Sequence, residues 1–116
     1  MTSESDLVYL RHIRDAIDRI ERYTASVSKE EFFGEEMRQD AVIRQLSIIG
    51  EAANDLSEEF RREYSSIPWA DVYGMRNKLV HDYFGVDLEA VWDTIRHDLP
   101  PLARTVDTAI LDIEED

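Results

Sequence analysis

A chain of 116 residues, 43% of them hydrophobic, is the size of one domain and can bury roughly two thirds of the surface that it exposes when unfolded, so a single core is expected over residues 1–116. The absence of cysteine excludes disulfides, thiolate zinc sites and cysteine nucleophiles, and no apolar run nears the roughly 18 residues of a membrane helix. A formal net charge of -13 argues against broad, nonspecific nucleic-acid binding, which rests on many cationic contacts to phosphate, so any such contact must be local. The N-terminus, Met-Thr-Ser-Glu-Ser-Asp, is acidic where a signal peptide would be basic, and a cytoplasmic protein is expected. Of the 13 basic residues only Lys29 and Lys78 are lysine. Acidic surplus with scarce lysine is the composition expected in high salt, where self-repulsion is screened within roughly 3 Å at about 1 M.

In chain order, Leu7, Leu10, Ile13, Ile17 and Ile20 recur at intervals of three and four, with Arg11, Arg14, Asp15, Asp18 and Arg19 turned away. This spacing predicts an amphipathic helix from Ser5 or Asp6 to about Tyr23. A polar stretch over 24–31 leads through Phe32, Phe33 and Gly34 into one long second helix carrying Met37, Val42, Leu46, Ile49, Ala53, Leu56 and Phe60. Gly50 lies in its middle, where it costs about 1 kcal/mol relative to Ala, and the usual return is close approach of a neighbouring helix. Ser65, Ser66, Ile67 and Pro68 break the pattern, and Pro68 fits the first turn of a third helix. That helix is expected to end near Tyr83 or Phe84, with Gly85 in the left-handed conformation that closes it. Asp87 reads as the N-cap of a fourth helix bearing Leu88, Val91, Trp92, Ile95 and Leu99. Pro100 and Pro101 then force a kink or restart near Asp98, before Leu102, Val106 and Ile110 resume the stripe. Residues 112–116 are expected to fray. The predicted architecture is all-α, an up-and-down four-helix bundle with a bent or split last helix.

Residues 76–83, Arg-Asn-Lys-Leu-Val-His-Asp-Tyr, set a guanidinium, an imidazole and a phenol close together. On a regular helix with Arg76 at zero and about 100° per residue, Val72, Met75 and Leu79 fall between about 260° and 320°, and Asn77 and His81 at about 100° and 140°. Tyr83, Val80 and Trp69 flank Arg76, giving an apolar arc too wide for one core contact. The economical explanation is a helix packed on its own bundle by one side and on a symmetry mate by the other, with arginines and histidines of both copies meeting across a two-fold axis. Such a cluster suits cleavage of RNA without a metal, which needs a base for the ribose 2′-hydroxyl, an acid for the leaving oxygen and a cation to offset charge on phosphorus. His81 titrates near neutrality and Arg76 forks onto phosphate oxygens. One motif histidine per chain is too few for both proton steps, so a second copy, solvent or Tyr83 must supply the other. Asn77, one turn before His81, holds the imidazole or binds phosphate. The plainer alternative is chance: an arginine and a histidine five apart are common, and His81 near a helix C-terminus favours the dipole when charged.

Together, Ile49-Gly50-Glu51-Ala52, Trp69, Gly74-Met75-Arg76-Asn77, Val80-His81-Asp82-Tyr83, Asp87, Val91-Trp92 and Leu99-Pro100 give the chain a pattern that resembles the HEPN superfamily and, within it, the HepT-like ribonuclease toxins. The resemblance implies a metal-independent endoribonuclease of a toxin-antitoxin module, without a cofactor. Arg76 and His81 would be catalytic, Asn77 and Lys78 supporting, and a homodimer would complete the site. It also implies a cognate minimal nucleotidyltransferase antitoxin that adds AMP to Tyr83; the phosphate and adenine, two residues from His81, would put negative charge and bulk where the RNA phosphate sits. An enzyme this acidic needs a confined basic groove, for which Arg61, Arg62 and Lys78 are the candidates. The runner-up is a noncatalytic helical partner of the nucleotidyltransferase, and a third reading is a structural dimerisation module. His12 and His97 lack partners at ligand spacing and read as surface groups. Glu51 reads as a solvated or helix-pairing carboxylate that can reach the site, Glu35, Glu36, Glu58 and Glu59 as exposed faces, and Trp69 and Trp92 as core or interface aromatics. No phosphate loop, zinc signature or nucleophile elbow is present.

Overall fold

The first helix, α1 (Glu4–Thr24), forms where the periodicity puts it: Leu10, Ile13, Ala16, Ile17 and Ile20 are fully buried along one stripe. The computed structural model describes residues 4–81 and 85–115, without the side chains of Lys78 and His81. Asp6, in the first turn of α1, is buried and accepts hydrogen bonds from the Ser57 backbone N–H at 2.8 Å and the Ser57 hydroxyl at 2.7 Å. A carboxylate beside a helix N-terminus is doubly favoured there, by the dipole of its own helix and by the donors that it satisfies on the next.

The expectation of one long second helix is corrected to two pieces, Glu36–Asp55 and Glu58–Glu63, and part of the polar stretch before it is itself helical. A short α2 (Lys29–Phe33) starts on a capping box, with the Ser28 hydroxyl accepting from the Glu31 N–H and the Glu31 carboxylate accepting from the Ser28 N–H, and closes at Gly34. The principal helix is α3 (Glu36–Asp55), tied back to α2 by Gln39 Nε2 donating to the carbonyls of Phe32 and Phe33 at 2.9 and 3.1 Å. Leu56 is extended, and Ser57 caps α4 (Glu58–Glu63) by accepting from the Phe60 N–H at 3.1 Å. Ser57 ends the helix because its hydroxyl and N–H find better partners outside a helical turn, in Phe60 and Asp6. Met37, assigned to the apolar stripe, is instead 88% exposed.

The third helix is also shorter than expected. Pro68 is the N-cap of α5 (Trp69–Tyr73), a boundary residue rather than a first-turn one; Gly74 separates α5 from α6 (Met75–Leu79). The chain then leaves the helix: β1 (Val80–His81) pairs antiparallel with β2 (Gly85–Val86), Val80 opposite Val86 and His81 opposite Gly85. The Asp87 N–H donates to the Leu79 carbonyl at 2.8 Å, so the returning strand, not a further helical turn, satisfies the end of α6. Gly85 does take positive φ, +80°, but within the ladder rather than at a helix end.

The fourth helix begins as predicted, with the Asp87 side chain accepting from the Ala90 N–H at 3.1 Å to cap α7 (Leu88–Asp93). The prolines are met by a π turn over Thr94–Asp98, in which the Leu99 N–H reaches the Thr94 carbonyl, and α8 (Leu99–Glu115) continues beyond it. The wider turn takes the carbonyls four residues before Pro100 and Pro101 out of the path of the two rings. The expected fraying of the tail is corrected: α8 is helical to Glu115, with the Tyr64 hydroxyl donating to Asp112 at 2.6 Å and Arg11 paired with Glu114 at 2.9 Å.

These pieces build an all-α bundle around one core, in which α1 packs on α3 and α8, and α3 packs on α5 and α6. The two-residue ladder is the only strand pairing among the described residues. Two aromatic pairs belong to the core. Trp69 sits edge-on to Phe60 at 5.6 Å and donates from Nε1 to the Tyr64 carbonyl at 3.0 Å, and Trp92 lies 5.4 Å from Phe32. Lys29 Nζ meets Glu89 at 2.7 Å, joining α2 to α7, and that hydrogen bond, against some desolvation, holds the ammonium pKa above the ordinary lysine value. Among the described residues no helix is long and apolar enough to cross a membrane.

Candidate functional site

Gly50 fixes where α3 meets the motif. A Cβ at this position would lie 3.0 Å from the Tyr73 carbonyl oxygen and 3.2 Å from that of Val72, so the close approach expected from its mid-helix position is made to the end of α5. Val72, Met75 and Leu79 are buried, which sets the rotation of α5 and α6 and leaves Arg76 and Asn77 exposed in the first turn of α6. The three residues that the helical wheel groups together, Val72, Met75 and Leu79, are the ones that join the core.

Arg76 and Asn77 line a groove of about 530 Å³ whose other wall is one face of α3, with Arg44, Ser47, Glu51 and Asn54, and whose floor includes Gly50 and Tyr73. The α3 residues are three, four and three apart, the repeat that keeps side chains on one face. Tyr73 is half-buried and carries the Arg61 guanidinium 5.3 Å from its ring centroid. Among the described residues neither Arg44 nor Arg76 has an ion-pair partner, so both guanidinium groups are available to an anion. Arg62, by contrast, pairs with Glu58 at 3.1 Å on the open surface.

Of the sequence-predicted residues, then, Arg76, Asn77 and Glu51 share one groove and Arg61 borders it. His81 is placed by its backbone only, on β1. Its predicted angle of about 140° on a helical wheel no longer applies, because the helix has ended at Leu79. The side chain of Lys78, and Tyr83 with its neighbour Asp82, lie outside the described residues. Sequence reasoning missed Arg44, Ser47, Asn54 and Tyr73. The signal for the first three was their polar repeat on either side of Gly50.

His12 and His97 are exposed, as read, with His12 edge-on to Tyr9 at 6.3 Å. Glu58 and Glu59 are exposed, while Glu35 is half-buried and bound by Arg38. Among the described residues no three His, Cys, Asp or Glu side chains are grouped to hold a metal ion.

A family model described as ribonuclease HepT-like matches residues 13–109. The chain is 44% identical over 94 residues to a Thermococcus cleftensis protein named "Probable ribonuclease HepT", covering 81% of this chain and 86% of that one. It is 39% identical over 98 residues to a "Putative RNase" of Caldanaerobacter subterraneus, covering 84% and 88%. A Methanocaldococcus jannaschii protein named "Gamma-glutamylcyclotransferase and putative RNase" is 43% identical over 99 residues; the match covers 85% of this chain but 45% of that longer protein. No solved structure matches.

Proposed function

This chain belongs to the ribonuclease HepT-like family, and we propose that it is a metal-independent endoribonuclease acting as the toxin of a toxin-antitoxin pair. The observation that carries the reading is the polar groove at α6, in which Arg76 and Asn77 stand opposite Arg44 and Glu51, in a chain whose relatives are named as ribonucleases. The chemistry is transesterification. The ribose 2′-oxygen attacks phosphorus as a base takes its proton, the bond to the 5′-oxygen breaks, and an acid protonates that oxygen, leaving a 2′,3′-cyclic phosphate and a 5′-hydroxyl. His81 serves one proton step. Arg76 carries the charge that grows on the non-bridging oxygens, and being permanently cationic and forked it does so at any working pH. Asn77 and Lys78 support the phosphate or the imidazole.

In this reading two copies face one another through the α5–α6 segment, and the second histidine completes the acid–base pair. A minimal nucleotidyltransferase antitoxin silences the enzyme by adding AMP to Tyr83, two residues from His81, where the new phosphate repels the RNA backbone. The second reading, a noncatalytic helical partner of that nucleotidyltransferase, is favoured by the net charge of -13, which opposes binding of a polyanion.

Cleavage of total RNA by the purified protein in EDTA separates the two, with Arg76→Ala and His81→Ala beside wild type, at low and molar salt. Discrete fragments ending in a cyclic phosphate, reduced by on the order of 10²-fold or more in both variants, are the expected result. No cleavage by wild type at either salt would remove the enzyme reading, and unchanged cleavage by His81→Ala would remove the assigned site.

A further inference from the structure

The groove holds more than the motif requires. Arg44, one turn before Ser47 on α3, and Tyr73 with Arg61 against its ring have no part in the proton transfers, and none of them belongs to the octapeptide. We propose that this part of the groove is a nucleotide subsite for single-stranded RNA beside the scissile phosphate, with Tyr73 stacking an unpaired base and Arg44 holding the neighbouring phosphate. The assignment of the strand as RNA rests on the ribonuclease reading.

Three features support it. First, the face from Arg44 to Asn54 runs about 15 Å along α3 at 1.5 Å per residue, and the groove's volume of about 530 Å³ falls in the range of small-molecule sites, roughly 300–1,000 Å³. That is room for a short single strand rather than a duplex. Secondly, a cation behind an aromatic ring stiffens it as a stacking platform, and stacking is open only to bases that are not already paired. Thirdly, with a net charge of -13 the protein gains nothing from long-range attraction, so affinity must come from a few close contacts: at each side of the groove an arginine with no ion-pair partner among the described residues, and a ring backed by the Arg61 guanidinium. Glu51, on the same α3 face, repels phosphate from the middle of that face. It refers the backbone to Arg44 and Arg76, while remaining an acceptor for a sugar hydroxyl or a base amino group.

The test is binding, measured by fluorescence anisotropy with a labelled single-stranded 2′-fluoro oligoribonucleotide, which lacks the attacking hydroxyl. Tyr73→Leu is expected to weaken binding about 5- to 150-fold, the loss of one stacked base, and Tyr73→Phe to stay near wild type. Arg44→Ala, on an exposed position, is expected to weaken binding and to lower the salt slope by about one phosphate contact. The same oligonucleotide annealed to its complement should bind more weakly to wild type. Wild-type affinity in both Arg44→Ala and a folded Tyr73→Leu would overturn the subsite. The ribonuclease reading fails separately: if wild type cleaves nothing but binds the single strand in a Tyr73-dependent way, the subsite stands without it, and if wild type cleaves while both variants keep their affinity and KM, only the subsite falls.

Discussion

Gly50→Ala sets two known effects of opposite sign against each other. In the interior of α3 the alanine gains about 1 kcal/mol of helix propensity, which in an unobstructed helix would raise Tm by roughly 4 °C in a domain of this size. Here the new methyl would sit 3.0 Å from the Tyr73 carbonyl oxygen and 3.2 Å from that of Val72, closer than a carbon and an oxygen rest. Neither atom can turn away as a side chain would. Both belong to the backbone at the end of α5, and the Val72 carbonyl already accepts the Gly74 N–H that closes that helix. Relief therefore means moving α5, at a cost of about 1–3 kcal/mol typical of overpacking, so the net change is between about zero and 2 kcal/mol of destabilisation. The displacement carries Tyr73 and, one turn on, Arg76 away from the α3 wall. Since a misplacement of about 1 Å costs an enzyme about 10²-fold, a shift of a few tenths should cost on the order of tenfold in cleavage rate. Thermal unfolding by circular dichroism and the EDTA cleavage assay measure the two consequences. A Gly50→Ala protein with Tm raised by several degrees and full activity would refute the argument that the groove is built on this contact.

Two further outcomes follow from the ties between helices. Asp6→Ala strands the Ser57 N–H and removes the charge-assisted bond to its hydroxyl, and should lower stability by about 2 kcal/mol, with Asp6→Asn losing less; an unchanged urea midpoint in the alanine variant would contradict the assigned role. Lys29→Gln removes the link between α2 and α7, and because the folded ammonium titrates above its ordinary value, the stability it contributes is fully present below the unfolded lysine pKa and lost only as pH rises through the raised one. The drop in Tm should therefore be equal at pH values on either side of neutrality, and a drop that shrinks in mildly alkaline buffer would count against the pairing.

The bundle was legible because its signals were local and repeated: the α1 stripe, the Asp87 cap and the mid-helix Gly50 each have a single physical reading, and each recurs in the structure. The helix breaks were less so. Leu56 and Ser57 sit inside an unbroken apolar pattern, and what ends the helix there is Ser57 bonding both to Phe60 and to Asp6, the latter 51 residues away in sequence, a partner no window could contain. Leu79 likewise ends α6 through the returning Asp87 N–H, and Val80, β-branched and apolar, fits helix or strand equally well on pattern alone. At the site, Arg76 and Asn77 were found because they belong to a compact motif. Arg44, Ser47 and Asn54 were passed over because an exposed polar face of a long helix looks solvated until a second helix is laid beside it. Tyr73 is ordinary in sequence and becomes particular only under Arg61.

The π turn at Thr94–Asp98 changes what the last apolar stripe means. Counted at about 100° per residue from Val91, Trp92, Ile95, Leu99, Leu102 and Val106 fall on a single face about 100° wide, as if one straight helix presented one side to one neighbour. The turn takes up one residue more than an α-helical turn, so everything after it is rotated back by roughly 100°. One face in the sequence becomes two in space: α7 looks toward α6 and, through Trp92, toward Phe32, while α8 looks toward α1. Within α8 the buried face runs through Leu102, Val106 and Ala109, with Ile110 packed at its edge. It is the length of the turn, more than its composition, that keys α8 to α1, and a chain one residue shorter between Asp93 and Leu99 would carry the same apolar residues on a helix aimed at the wrong partner.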